Sequence, residues 1–184
     1  MEVEVRTNKD KSVDSFCLVE QHRIMGLKGN LEKIIVAKNS KDSPSKQIKD
    51  ATEEIFRNGG DWRQPFQFDS SVSSIYPLSN YRLDAMIDEI SADCEHSHRI
   101  LVEQCFDNRQ AIGTNLLKFQ LASSLFENHL KHTALSIIIC ADRHSLKLFG
   151  WDGSIASSEE YEAALRGPYA NIITANVVLM VIRD

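Results

Sequence analysis

The chain has 184 residues, of which 42% are hydrophobic, so one domain with a sizeable core is expected, hiding roughly two thirds of the unfolded surface. No apolar run reaches the length of about 18 residues that a membrane helix needs, and the charged start MEVEVRTNKDK lacks the apolar segment of a secretory leader; a cytoplasmic protein with no membrane partner is expected. The net charge of -5 counts against a broadly basic nucleic-acid binder, because affinity for phosphate comes largely from Lys and Arg, but it does not exclude one whose charge is unevenly spread.

Residues 1–11 are polar and are expected to fray. From Val13 to Leu27 a loose helical pattern runs as far as Gly29. Leu31 to Ala37 suits either a strand or part of a helical hairpin. Lys38 to Ser45 reads as a loop, and Ser43-Pro44-Ser45 signals a helix start. Lys46 to Asn58 then carries Ile48, Ala51, Ile55 and Phe56 on one face, with Gly59-Gly60 expected to end the helix in the left-handed conformation. Asp61 to Asn80 has no period and is longer than most structureless loops.

Tyr81 to Ile90 is expected as a strand, SADCEHSH as a polar hairpin tip, and Arg99 to Phe106 as the returning strand, with Leu101, Glu103 and Cys105 on one side and Ile100 and Val102 on the other. After a turn at Asp107 to Arg109, Gln110 to Glu127 has a broad apolar stripe, suited to a helix covered on more than one side. Thr133 to Ala141, TALSIIICA, is continuous enough for a central strand buried on both faces. Asp142 to Ser157 reads as a loop containing Trp151-Asp152-Gly153. Glu159 to Leu165 reads as a short helix capped by Ser157 or Ser158, and Asn171 to Asp184 as a closing strand. The order strand, strand, helix, strand, helix, strand after a helical N-terminal part implies an α/β domain with a mixed sheet flanked by helices.

The chemistry concentrates in the hairpin. Two carboxylates on one face of paired strands can hold Mg²⁺, which takes oxygen ligands and keeps several waters. With a turn near Glu95-His96, Asp88 is expected opposite Glu103 and Asp84 further along the same face. The main-chain carbonyl of Gln104 is a candidate third ligand. Such a cation can acidify a bound water and stabilise charge on a phosphate. The four cysteines, Cys17, Cys94, Cys105 and Cys140, form no C-x-x-C pair and are expected to be free thiols. Cys94, Glu95, His96 and His98 sit together, but a polar hairpin tip explains them without zinc, since no second spaced pair accompanies them.

Leu83-Asp84, the hairpin, Val102-Glu103, Phe106, Asn108 and the helix from Gln110 together resemble the catalytic core of PD-(D/E)XK nucleases, and within them restriction endonucleases of the BamHI, BglII and BstYI type. The resemblance spans 81–184 and implies one nuclease-like domain over 1–184, with 1–60 mainly helical and 81–184 the catalytic α/β core. It implies a homodimeric, Mg²⁺-dependent (or Mn²⁺-dependent) endonuclease acting on double-stranded DNA, with Asp84 and Glu103 binding the metal. The family's third catalytic position, usually Gln, Glu or Lys, falls on Cys105, a poor ligand for Mg²⁺ and a poor partner for water; Gln104 is adjacent but points to the other face unless a bulge turns it. Asn108, Arg109 and Lys118 are candidate DNA contacts, Lys118 because this helix lies beside the active site in the resembling enzymes. Against these stand solvated carboxylates paired with Arg82 or Arg99, an ordinary turn at 107–109, and a surface lysine with its stem over the core. The departure at Cys105 and the acidic charge leave a second reading open: a non-catalytic or partner-dependent nuclease-fold subunit or DNA-binding module. A third is an α/β interaction protein.

Overall fold

The structure, a computed structural model, describes residues 1–8, 12–59, 61–67, 82–90, 96–106, 108–127, 132–151 and 153–184. In chain order the elements are β1 (Glu2–Thr7), α1 (Leu18–Glu32), α2 (Pro44–Asn58), β2 (Phe66–Gln67), β3 (Arg82–Leu83), β4 (Ala85–Ile90), β5 (Ser97–Gln104), α3 (Ile112–Glu127), β6 (His132–Ala141), α4 (Arg143–Leu148), α5 (Ser158–Arg166) and β7 (Asn176–Arg183). Among the described residues, no helix is long and apolar enough to cross a membrane.

Five strands form one sheet in the order β1-β7-β6-β5-β4, and β2 pairs with β3 in a small second ribbon. β5, β6 and β7 run parallel, whereas β1 and β4 are antiparallel to their neighbours at the two edges. This is the mixed α/β sheet that the element order implies. The parallel step from β5 to β6 is bridged by α3, because parallel neighbours need a crossover.

Side-chain alternation along β5 splits the core in two. Ile100 and Val102 join Leu135, Ile137 and Ile139 of β6 and Val178, Met180 and Ile182 of β7 beneath α1 and α2, which contribute Ile24, Leu27, Leu31, Ile48 and Phe56. Leu101 and Cys105 join Ile138, Cys140, Leu179 and Val181 beneath α3 and α5, which contribute Leu116, Phe119, Ala122, Tyr161 and Leu165. β6 is therefore covered on both faces, as its unbroken apolar run anticipates.

Several local expectations are corrected. The N-terminal residues 2–7 do not fray: they pair with β7 from Glu2↔Arg183 to Thr7↔Val178, and Val3 is buried. α1 continues through Gly26 and Gly29 to Glu32. Each glycine costs a helix about 1 kcal/mol, but Ile24, Leu27 and Leu31 are fully buried on one side, and burying even one such side chain is worth about 2 kcal/mol. α2 ends at Asn58, and its C-cap Gly59 has φ -73, not in the left-handed region; Gly60 lies outside the described residues. The glycine at 59 is a matter of space, since a Cβ there would lie 2.8 Å from both the Ile55 carbonyl oxygen and Trp62 Cδ1.

The expected loop at 142–157 contains α4. Asp142 caps it by accepting from the Ser145 N–H at 2.7 Å, and Gly150, at φ 75, turns the chain out of it. Trp151 then stacks on Phe106 with ring centroids 4.7 Å apart, as a packed indole should.

Candidate active site

The register between β4 and β5 decides which acids meet. Ala85 pairs with Val102, and Asp88 pairs with Arg99. Continued by one residue, that register sets Asp84 opposite Glu103. The expectation that Asp88 faces Glu103 is thus wrong: the register of the two strands is shifted from the expected one, and Asp88 is exposed at the other end of β4. Its carboxylate is held by Arg99, and Arg63 lies 3.9 Å away.

Asp84 sits at the break between β3 and β4, half-buried. Its Oδ2 accepts from the Gln104 main-chain N–H at 2.6 Å, and its own N–H donates to Glu103 Oε2 at 3.3 Å. The two acids are therefore interlocked through each other's backbone. Glu103 is 4% exposed, at the C-terminal end of β5, where ligand sites gather in open α/β sheets. Its remaining oxygen, Oε1, accepts from Lys118 Nζ at 2.7 Å. Burial, and then the neighbouring Asp84 charge, push the Glu103 carboxyl up to about 7, while Lys118 and the Asp84 N–H pull it down.

Lys118 reaches this point because of where α3 faces the sheet. Asn115, Lys118, Phe119 and Ala122 lie three or four apart and so share a face. Phe119 and Ala122 are buried against the sheet; Lys118, with its side chain 15% exposed, runs its stem past them and its ammonium to Glu103. The stem of Lys118 lies over the core, as one of the two sequence alternatives has it, but its ammonium turns to Glu103. The (i, i+3) partner Asn115, three residues earlier, is the signal that sequence reasoning passed over: two polar residues on the core-facing stripe of an apolar helix.

Cys105 is 1% exposed. Its Sγ accepts from Asn115 Nδ2 at 3.4 Å, and the same amide nitrogen lies 3.2 Å from Tyr161 Oη. Burial raises the thiol well above its usual range. Although it shares a face with Glu103, Cys105 is part of the packed layer beneath α3 and α5, with no reactive thiolate. Gln104 does not replace it. The β5–β6 ladder runs without interruption from Ser97↔His132 to Gln104↔Ile139, so no bulge turns the side chain, and Gln104 Oε1 is buried on the opposite side with no hydrogen-bond partner among the described residues.

Asn108 accepts from the Gln110 N–H at 3.0 Å, capping a short 3-10 turn ahead of α3. Arg109 is half exposed and paired with Glu160 at 2.6 Å. Both are accessible at the turn, but neither joins the acids. Cys94, Glu95 and Asp107 lie outside the described residues.

A second group of possible ligands brings Cys17, Glu20 and His98 within 4.8 Å of one another. Its geometry suits hydrogen bonding better than coordination. Cys17 Sγ lies 3.5 Å from Nδ1 and 3.8 Å from Nε2 of His98, so it points along neither nitrogen's lone pair, and Nδ1 lies 2.7 Å from the Thr133 hydroxyl. Glu20 closes the N-terminus of α1 by accepting from the Cys17 N–H.

The residues at Asp84 and Glu103 do fit a hard divalent cation. They offer carboxylate oxygens from adjacent strands, and burial, followed by the Asp84 charge, raises the proton affinity of Glu103, so a cation that neutralises the pair would offset that cost.

No protein-family model and no curated protein matches the sequence. Among solved structures, the chain is similar to the restriction endonuclease BglII, crystallised in complex with a DNA 16-mer, with a TM-score of 0.63 and 15% sequence identity over 100% of this chain and 78% of that one. The chain has a restriction-endonuclease-like fold.

Proposed function

We propose that the protein is a restriction-type endonuclease that hydrolyses phosphodiester bonds of double-stranded DNA with a divalent cation, Mg²⁺ or Mn²⁺. The observation that carries this reading is the interlocked pair Asp84 and Glu103, held at the end of β5 within a fold similar to that of a DNA-bound endonuclease.

Asp84 and Glu103 would hold the cation, with the Gln104 carbonyl as a third donor from the main chain. When bound, the cation supplies a Lewis acid that acidifies the attacking water and neutralises charge on the phosphate. The chain's own part is positioning. The Gln104 N–H fixes the Asp84 carboxylate, and the Asp84 N–H fixes that of Glu103, so neither side chain has to be ordered when DNA arrives. Asn108 and Arg109, at the exposed turn before α3, would track the DNA backbone and set register without reading sequence. A homodimer would place one such site on each strand.

The test is cleavage of plasmid and bacteriophage DNA of varied sequence in Mg²⁺ and in Mn²⁺. Linear or nicked product is expected, lost in Glu103→Ala. Intact supercoiled DNA under every condition would leave the partner-dependent reading, which the Lys118–Glu103 ion pair favours because it already satisfies one carboxylate oxygen.

A further inference from the structure

We infer that Lys118 is the site's third catalytic group, a cation delivered from α3 that contacts the scissile phosphate and so does what the residue at position 105 cannot. The inference rests on the endonuclease reading above. Three observations carry it. Position 105, two residues beyond Glu103 on the same face, is closed off: its thiol is 1% exposed and engaged with Asn115. Gln104, the neighbouring alternative, faces the other layer in an unbroken ladder. The one ammonium at the two acids, among the described residues, arrives instead from the helix, 2.7 Å from Glu103 Oε1 with its side chain 15% exposed.

A lysine placed this way has a specific use. It is neither a solvated surface charge nor a fully buried one, and its three N–H donors exceed what one carboxylate oxygen takes up. A phosphate brought to the two carboxylates is within reach of the same amine. In the reaction, a water oxygen forms a new bond to phosphorus and loses a proton to solvent, while one ester P–O bond breaks, its electron pair leaving on the departing oxygen, which takes up a proton from solvent. Negative charge builds on the non-bridging oxygens as this happens. A fixed ammonium beside them, in a site with little water, stabilises that charge more than the ground state, which is the condition for acting on rate and not only on binding. Arg109, by contrast, is held by Glu160 at the exposed turn and belongs to DNA positioning.

The test compares Lys118→Met, Lys118→Arg and Lys118→Ala with the wild type. Two measurements are independent of cleavage: calorimetric Ca²⁺ binding without DNA, and plasmid-fragment binding in Ca²⁺. Lys118→Met is expected to bind Ca²⁺ at least as tightly as wild type, because both carboxylates remain and a competing cation is gone, and to bind DNA within about threefold, yet to cleave at least about 100-fold more slowly in Mn²⁺, a loss of the size expected for one transition-state donor. Lys118→Arg should recover part of that loss, and ethylammonium at tens of millimolar should raise the rate of Lys118→Ala by about tenfold or more. Lost Ca²⁺ binding in Lys118→Met would make the lysine structural and overturn the inference. Cleavage by Lys118→Met within about threefold of wild type would overturn it while leaving the endonuclease reading intact. A wild-type protein that binds Ca²⁺ but cuts no DNA in any metal would overturn both.

Discussion

Arg99 grips Asp88 with both arms of its guanidinium: Nε lies 2.7 Å from Oδ1 and Nη2 lies 2.9 Å from Oδ2. That pair takes Asp88 out of consideration as a ligand and leaves Asp84 as the partner of Glu103. Asp84→Asn should abolish metal-dependent cleavage and weaken Mn²⁺ binding at least about tenfold, since losing even an outer-shell partner of a metal ligand costs that much. Asp88→Asn should leave cleavage within about twofold and lower stability by no more than about 1 kcal/mol, the ceiling for a pair of this exposure. The reverse ranking would return Asp88 to the site.

Metal-free stability should depend on pH through Glu103, in a direction opposite to that of an ordinary paired carboxylate. Its carboxyl is pushed from 4.5 up to about 7 in the folded protein. Below the unfolded value both states hold the proton and the contribution is fully present. Between the two values the unfolded chain has released its proton while the folded one still holds it, so stability falls as pH rises; above the folded value it stays at the lower level. The difference is of the order of 3 kcal/mol. Urea titrations in EDTA from pH 5 to 8 should therefore show a falling midpoint, flattened in Glu103→Gln, and Mg²⁺ should restore stability at the upper end by binding only the folded state. A midpoint that responds identically in both proteins would remove Glu103 as the source.

Placing a conventional catalytic residue at position 105 should harm the protein and not improve it. Cys105→Gln and Cys105→Lys each force a polar group into the layer formed by Leu101, Leu116, Phe119 and Tyr161, at about 3 kcal/mol or more where no partner exists. Asn115→Ala leaves the Cys105 thiol and the Tyr161 hydroxyl without their shared amide, at about 2 kcal/mol. Thermal melts decide both. A Cys105→Lys protein that melts like the wild type and cuts faster would show that the position opens to the site.

These cases also show what was legible beforehand. Period-two alternation in 99–106 put Leu101, Glu103 and Cys105 on one face and Ile100 and Val102 on the other, as found, because both layers of the core depend on it. The choice between Asp84 and Asp88 was not legible: it is a matter of register, and register depends on where the hairpin turns, which polar residues at 91–98 leave undetermined. Nor was β1, whose alternating charges suggest a loose end until β7 supplies a partner: Glu4, for example, pairs with Val181 and its carboxylate meets Arg6. The sequence marks Lys118 by its helix but not by its neighbour, since the chain separation between 103 and 118 carries no pattern; only the packing of α3 on β5 brings them together.

The position of β4 at the outside of the sheet has a consequence for how the site behaves over time. β4 has β5 on one side and, among the described residues, only the bridge from Met86 to Arg63 on the other, whereas β5 lies between β4 and β6. Outer strands open at lower free energy than inner ones. Asp84 thus hangs on the part of the molecule that peels first, and Glu103 on a part that stays. An ion held by both would act as a clasp across the seam: hydrogen–deuterium exchange at Met86 and Ile87 should be fast without metal relative to Ile137 to Ile139, and should slow on adding Mn²⁺. Assembly of the reaction centre and tightening of the sheet's rim would then be a single event.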